Sequence, residues 1–375
     1  MMKRFSIIFF GALAILMAGC SKNIEPASPD PDAWIHDLSL PVPIQFGAQD
    51  AVQTKAGGAI STAADMKGKK FGFYSVSDKV SNLTLDNGLG MPQNISAECE
   101  LIPGSTDKVR FTLDGGPYYY PTTSNSDNYS FYGYHAHVSG QGIERASKDS
   151  LFLVVEVGET DILWGKAVAT PEWVEADQKT YEGFNARYVR KTLKHPTMEF
   201  KHLTASVNFS AEVKASAFSQ ANPGADAITI TKVTIKQVDT KAVLRLALGQ
   251  DAIAAGINQE EWEGTLRLPA DRTKGDLTAT GGNLNSLGSF FILPTESINV
   301  ELEYTVGGKP FSYKYELIPT VKEGDKAGQQ GFFAGYQYSY KFVVYTPERI
   351  SIEATVKPYE SAFGDEPETI LPDED

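Results

Sequence analysis

Apolar and polar residues alternate with a period of two along many short segments of the chain. One segment has its apolar positions at Leu203, Ala205, Val207, Phe209, Ala211 and Val213. Similar segments run over residues 298–304, 311–317, 336–342 and 350–356. A strand places successive side chains on opposite faces, so each segment predicts a strand with one buried face and one solvent-facing side.

The connections between these segments also favour β-structure. Gly307-Gly308 separates two alternating segments and predicts a tight hairpin turn. Long amphipathic helical patterns are scarce. The fold class expected from the sequence is all-β, with antiparallel β-sandwich packing.

A chain of 375 residues has room for two or three domains, at roughly 150 residues each. Residues 178–194 are polar and basic, and His195-Pro196 interrupts local structure. We therefore expect an N-terminal β-sandwich domain over residues 41–195 and a C-terminal one over 196–360. Residues 361–375 are expected to form an acidic C-terminal tail.

The first residues predict export. Lys3 and Arg4 precede an apolar run that ends in Met17-Ala18-Gly19-Cys20, which is the layout of a signal peptide over residues 1–19. The ending resembles a bacterial lipobox, in which the cysteine carries lipid such as palmitate. Cys20 is the expected lipidation site, residues 20–40 a tether, and the cell outer membrane the expected location. The alternative is an ordinary signal peptide with an accidental cysteine.

Composition excludes several classes of protein. Lys plus Arg number 34 against 47 Asp plus Glu, a formal charge of −13, so a nucleic-acid partner is not expected. A hydrophobic content of 42% excludes a wholly disordered chain, and two cysteines exclude a disulfide scaffold. For Cys99 we favour a small buried residue over a reactive thiol.

Candidate catalytic and metal-binding residues are few. Ser105 and Lys108 have the spacing of a serine activated by lysine, although a turn is favoured there. His135 and His137 would share one face of a strand, but no third metal ligand is evident. His195 and His202 suit capping or packing roles. We expect no catalytic residue, no metal and no cofactor, and hence no enzyme.

Several short motifs, in order along the chain, resemble the Bacteroidales fimbrillin family of type V pilus subunits. They are Ile44-Gln45-Phe46, Thr54-Lys55-Ala56, Phe71-Gly72-Phe73-Tyr74, Phe131-Tyr132-Gly133-Tyr134, Asp161-Ile162-Leu163-Trp164-Gly165-Lys166-Ala167, Phe200-Lys201-His202-Leu203, Ala334-Gly335-Tyr336-Gln337-Tyr338, Ile350-Ser351-Ile352 and Pro358-Tyr359. Family members often carry Trp where this chain has Tyr359. The resemblance spans nearly the whole chain that follows the signal peptide.

The resemblance implies two transthyretin-like antiparallel β-sandwich domains, export as a lipoprotein and assembly into an adhesive fimbria by donor-strand exchange. A protease removes the first strand, and a neighbouring subunit fills the groove. The candidate exchanged strand covers residues 42–52, with Val42, Ile44, Phe46 and Ala48 on its apolar face. Lys55 is the candidate processing site. The candidate donor strand lies within 350–375 and includes Ile350, Ile352, Ala354 and Val356.

The expected partners are copies of the same chain or related pilin subunits, a protein or glycan ligand on a host or bacterial surface, and the outer membrane through the lipid. The alternative function is a monomeric surface glycan-binding lipoprotein. It would need a cleft lined by aromatic residues, for which Trp34, Trp164, Trp173 and Trp262 are candidates. The run Tyr118-Tyr119-Tyr120 is either a binding loop or a buried strand end.

Overall fold

The computed structural model describes residues 33–49, 60, 62–77, 89, 94–105, 108–121, 128–147, 150–167, 169–214, 228–281, 283–346 and 349–358. The chain divides into two units, Met1–Leu40 and Pro41–Asp375. The described part of the first unit contains helix α1, Ala33–His36, in which Trp34 is buried. Within the described ranges, no helix combines the length and the apolar character needed to cross a membrane.

The second unit consists mainly of strands, as expected for an all-β fold. The strands are β1 (Phe46–Gln49), β2 (Lys70–Ser77), β3 (Ile95–Leu101), β4 (Lys108–Leu113), β5 (Tyr129–His135), β6 (His137–Ser147), β7 (Ser150–Glu156), β8 (Leu163–Ala167), β9 (Glu172–Val174), β10 (Lys179–Tyr181), β11 (Thr197–His202), β12 (Ala205–Val213), β13 (Ile228–Asp239), β14 (Lys241–Leu248), β15 (Thr265–Arg267), β16 (Lys274–Thr280), β17 (Gly288–Ile292), β18 (Ile298–Val306), β19 (Lys309–Leu317), β20 (Tyr336–Thr346) and β21 (Arg349–Pro358). The short helices are α2 (Ala63–Met66), α3 (Ala186–Thr192), α4 (Gln250–Ala254) and α5 (Gln259–Trp262), with a 3₁₀ turn at Glu175–Asp177.

Seven strands close into a barrel in the order β1-β11-β8-β5-β2-β3-β4. Its interior is mainly aromatic, with the buried rings of Phe71, Phe73, Phe111, Phe131 and Phe200. Two glycines face each other across the β5–β8 pair, at positions 133 and 165. A Cβ at either position would lie 2.9–3.0 Å from the ring of Phe200, so both positions need glycine to admit that ring.

Two four-stranded sheets, β17-β12-β20-β21 and β16-β13-β18-β19, share the main C-terminal core. All five alternating segments of the sequence are strands here, which confirms the expectation from periodicity. The hairpin at Gly307-Gly308 is also confirmed, because it joins β18 to β19 and both glycines have positive φ, 55° and 80°. β19 and β21 lie at sheet edges, so Phe311 and Ala354 are exposed although they follow the apolar pattern.

The expectation of antiparallel pairing is wrong at two places. β1 runs parallel to β11, and β12 runs parallel to β20. Parallel neighbours need a long crossover connection, and both pairs have one, since more than a hundred residues separate their strands. The alternation within a strand carries no information about the direction of its neighbour.

A further sheet, β15-β14-β7-β6, joins strands from both sides of residue 195. The division into two sandwich domains at that residue stays a prediction. The polar segment before it also contains α3, a helix that its polar composition does not predict. Asn185 caps this helix by accepting the Tyr188 N–H at 2.8 Å, and Leu193 ends it with a φ of 55°.

A buried carboxylate joins the barrel to this sheet. Glu263 is 3% exposed and accepts hydrogen bonds from the Lys166 ammonium at 3.0 Å and the Tyr132 hydroxyl at 3.0 Å, both on barrel strands. It also accepts the backbone N–H of Leu248 at 2.8 Å and the Gln259 amide at 2.9 Å. A buried charge with this many donors is stable only while its partners remain in place.

We expect Glu263→Ala to lower the free energy of unfolding by about 3–5 kcal/mol, because it leaves Lys166 and the Leu248 N–H without their buried acceptor. Urea denaturation measures the change. The matched control is Glu260→Ala on α5, the helix that Glu263 follows; the side chain of Glu260 is exposed, and the cost should stay below about 0.5 kcal/mol. Equal losses in the two variants would contradict the role assigned to Glu263.

Candidate functional site

The first barrel strand occupies a slot between two segments that are distant in sequence. On one side β1 pairs antiparallel with β4, from Phe46 opposite Phe111 to Gln49 opposite Lys108. On the other side it pairs parallel with β11 at Gly47 and Ala48. We call the space that residues 42–49 fill between these neighbours the β1 slot.

The residues that lead into β1 are paired as well. The Ile44 N–H donates to the Tyr118 carbonyl at 2.8 Å, and the Tyr120 N–H donates to the Val42 carbonyl at 2.9 Å. Tyr120 is buried, and Tyr119 is 39% exposed. The tyrosine run therefore forms part of the wall of the β1 slot and presents one ring to solvent.

The apolar face of the candidate exchanged strand points into the barrel core. Val42, Ile44, Phe46 and Ala48 are 0%, 5%, 2% and 3% exposed. The ring of Phe46 stacks on that of Phe73, with 4.9 Å between centroids and 10° between planes, and meets Phe131 edge-on at 4.9 Å. Alternate side chains thus fill pockets of the core while the backbone completes two ladders.

Removing this strand would be costly. Burial of Val42, Ile44 and Phe46 contributes about 1.5–3 kcal/mol each, or about 5–9 kcal/mol together. That sum is comparable with the whole stability of a domain, about 5–15 kcal/mol. It would also leave backbone groups of β4 and β11 unpaired. An emptied β1 slot therefore needs another strand with apolar residues at alternate positions.

The chain is anchored again shortly after β1. The carboxylate of Asp161, 2% exposed, accepts the Ile60 N–H at 3.4 Å, the Thr204 hydroxyl at 3.0 Å and an imidazole nitrogen of His202 at 2.8 Å. Ile60 is itself buried. Between the end of β1 and this anchor lie residues 50–59, which are outside the described residues and include Lys55.

Several predicted residues fall outside the described part of the chain. These are the signal peptide, the lipidation site Cys20, the end of the candidate exchanged strand at 50–52, and Lys55. The candidate donor residues Ile350, Ile352, Ala354 and Val356 are described, and they lie in β21, paired with β20 of the same sheet. Exchange, lipidation and processing stay predictions.

The structure separates the two histidines proposed as a metal pair. His135 ends β5, where its ring N–H donates a hydrogen bond to the Lys70 carbonyl at 2.8 Å and the ring lies 5.1 Å from that of Phe71. His137 begins β6, with its side chain 67% exposed and 3.0 Å from Glu156. Among the described residues, no group of three His, Cys, Asp or Glu could hold a metal ion.

The candidate serine and cysteine are not placed for catalysis. The Ser105 hydroxyl accepts the Lys108 N–H at 3.0 Å, in the connection between β3 and β4. Cys99 is 1% exposed, and burial together with the charge of Glu100 raises its thiol pKa to about 12. A thiol with that pKa stays protonated at neutral pH and is a poor nucleophile.

The tryptophans differ in their exposure and in the groups that they contact. Trp34 is buried, and Trp164 is 8% exposed, with its indole N–H donating to the Leu246 carbonyl at 3.0 Å. Arg245 lies 5.3 Å from the Trp262 ring, and Trp173 on β9 is 60% exposed. Cavities of about 470 and 160 Å³ contain no tryptophan in their walls.

Comparison with known families gives one match that covers most of the chain. The family model described as fimbrillin-like matches residues 67–358. This range begins after β1 and ends with β21. No curated protein sequence matches the chain.

The solved structures that match this chain have low sequence identity to it. A candidate cell adhesion protein from Bacteroides uniformis shares 15% identity and a TM-score of 0.48, over 86% of this chain and 98% of that one. A fimbrilin from Porphyromonas gingivalis shares 12% and 0.40, over 88% and 100%. The tip fimbrial protein Mfa3 from Porphyromonas gingivalis shares 9% and 0.37, over 85% and 100%.

We expect Phe46→Ala to lower the free energy of unfolding by about 3–5 kcal/mol, because it removes a ring that is packed between Phe73 and Phe131. The matched control is Phe311→Ala on β19, where the ring is 43% exposed and the loss should be below about 1 kcal/mol. Urea denaturation of both variants tests this. If the two losses are equal, the β1 slot is not a packed part of the barrel in solution.

Stability should also depend on His195, which precedes β11. Burial lowers the pKa of His195 to about 4, whereas an unfolded histidine titrates near 6.5. Between these values the unfolded chain binds more protons, so stability should fall by roughly 2–3 kcal/mol as pH drops from about 6.5 to 4. His195→Gln should reduce this slope in pH-dependent urea denaturation. An unaltered slope in His195→Gln would refute the assignment.

Proposed function

The chain belongs to the fimbrillin-like family, and on that premise we propose that it is a structural subunit of an adhesive cell-surface fimbria, exported as a lipoprotein and assembled by β-strand exchange. The observation that carries the proposal is the β1 slot. It holds a buried strand, β1, and the segment that carries Lys55 connects this strand to the rest of the barrel.

Cleavage after Lys55 would convert β1 from part of the chain into a bound peptide. The residues before the cut would then be held only by side-chain packing and by the ladders to β4 and β11. On the other side of the cut, Ile60 would remain fixed through Asp161. This contact would tie the chain after the cut to the barrel, whereas the emptied β1 slot would leave β4 and β11 in need of a replacement strand.

The incoming strand must supply apolar side chains at alternate positions and a free backbone edge. We propose that it comes from the carboxyl terminus of a neighbouring subunit, within residues 350–375. In β21, Ile350 and Ile352 are half-buried, Ala354 is exposed and Val356 is buried. Within the described sheet, β20 is the neighbour of β21, so donation of its residues would require release from that one ladder.

The lipid on Cys20 would hold the unprocessed subunit at the outer membrane, and removal of everything before Ala56 would detach it. Partners are then other copies of the chain or related subunits, together with a surface ligand for adhesion. A glycan-binding lipoprotein is the second candidate function. The observation in its favour is Trp173, which is exposed on the β9–β10 hairpin.

Processing can be tested with protein sheared from the surface of a Bacteroidales host. We expect the wild-type chain to begin at Ala56 and to give a ladder of heat-sensitive multimers on unheated gels. Lys55→Ala should retain the earlier residues and give monomers, because β1 still fills the slot. Amino-terminal sequencing and intact mass distinguish the two states.

The matched control is Lys67→Ala, another lysine near the amino end of the barrel, which is exposed and should be processed and polymerised like the wild type. A wild-type protein that still begins at Cys20 and migrates as a monomer would reject the stalk role. That result would leave a membrane anchor subunit or the glycan-binding lipoprotein.

A further inference from the structure

A cavity of about 470 Å³ lies where the end of β17 and the start of β18 meet the ends of β13 and β15. A volume of this size accommodates a small ligand or a few peptide residues. One part of its wall is apolar, made by Leu266, Leu268, Ile292, Leu293 and Pro294. The other part is basic, with Lys236, Arg267, Arg272 and Lys274 against the single acidic side chain of Asp239.

The basic side chains are only partly neutralised. Asp239 binds Arg272 with two hydrogen bonds of 2.6 and 3.0 Å, and Lys236 pairs with Asp276 at 2.6 Å. Among the described residues, no carboxylate forms an ion pair with Arg267 or Lys274. The cavity therefore presents positive charge in a chain whose formal charge is −13.

The wall next to this charge has an unusual backbone. The β13 ladder shifts register between Ile235 and Val238, and Gln237 in this bulge has a φ of 56°. Asp276 holds the bulge by accepting the Gln237 N–H at 3.0 Å, in addition to its pair with Lys236. A left-handed residue other than glycine costs of order 1 kcal/mol, and such strain is concentrated at binding sites.

The chemistry of this wall matches the last residues of the chain. Residues 359–375 contain seven Asp or Glu and no Lys or Arg, and within them Ile370-Leu371 is followed closely by Asp373, Glu374 and Asp375. An apolar pair next to carboxylates is complementary to an apolar wall next to Arg267 and Lys274. The tail itself lies outside the described residues.

The last described residue, Pro358, lies close enough to the cavity for the tail to reach it. Pro358 ends β21 and lies opposite Tyr336, at the start of β20. Ile292, in the cavity wall, lies opposite Ala205, at the start of β12. Since Ser206 pairs with Gln337, all four residues lie at one end of the same sheet. Three steps between strands span about 14 Å. Extended chain covers about 3.3 Å per residue, so residues 359–375 can reach the cavity easily.

We propose that this cavity binds the acidic carboxyl-terminal tail of the same chain, with Ile370-Leu371 on the apolar wall and the terminal carboxylates beside Arg267 and Lys274. The docking does not depend on the proposed fimbrial role. If that role holds, the docked tail keeps the donor end of a free subunit occupied, so a subunit would release it only when an emptied β1 slot is available.

Disulfide capture in the full chain tests the docking. In a Cys20→Ser background, the pair Leu268→Cys and Thr369→Cys joins the cavity rim to the tail without removing any charge. Cys99 is left in place because it is buried and protonated. The matched control pair is Lys309→Cys and Thr369→Cys, since Lys309 lies at the opposite end of β18–β19. We expect at least about five-fold more monomeric cross-link from the cavity pair at high dilution.

Charge reversal provides the second measurement. Arg267→Glu with Lys274→Glu should bring the yield of the cavity pair down to that of the control pair, as should about 0.5 M NaCl, because the attraction is electrostatic. Lys309→Glu with Lys314→Glu, which adds the same charge elsewhere, should leave the yield unchanged. Equal yields from the two cysteine pairs, indifference to the reversal at 267 and 274, or cross-linked dimers alone would each overturn the proposal. None of these results bears on whether Lys55 is cleaved.

Discussion

The barrel depends on the rule that a buried strand edge must have a partner. β4 and β11 are distant in sequence and come together only through β1, which gives each of them a ladder and fills the core between them. The first barrel strand is thus the one that bridges β4 and β11, and its exchange would conserve the fold while changing which molecule completes it.

Two buried carboxylates connect the barrel to the elements around it. Glu263 connects β5 and β8 of the barrel to the sheet formed by β14 and β7, and Asp161 holds both the chain after the β1 slot and the start of the C-terminal strands through Thr204. Each carboxylate is surrounded by donors from elements that are far apart in sequence. Because a buried charge loses several kcal/mol when its partners are removed, these connections resist the loosening that loss of β1 would cause.

Much of this architecture could be predicted from the chain alone, because alternation of apolar and polar residues reports which face of a strand is buried. The strands at 203–213 and 298–304, the glycine hairpin at 307–308 and the apolar face of the first strand all follow from it. The direction and partner of each strand do not, since β14 pairs with β7 across the expected domain boundary and β12 runs parallel to β20. The hydrogen-bond clusters around Glu263 and Asp161 could not be predicted from the sequence either. In each of them, at least one donor lies more than a hundred residues away from the carboxylate along the chain. The signal for α3, an Asn cap before Tyr188 and Val189, was present but lay inside a segment whose polar composition indicated a loop.

The β1 slot is asymmetric, since its occupant runs antiparallel to one wall and parallel to the other. A replacement that reproduces both ladders can enter in one direction only. In addition, the slot and the candidate donor strand are different parts of the chain. The contact between two copies would therefore be heterologous, and it would not close on itself as the contact in a twofold dimer does. Subunits joined this way would all point along the same axis, and their polymer would have two chemically different ends. One end would offer an empty slot and the other an unused strand, so a single subunit that lacks either feature would be enough to set the length of the fibre.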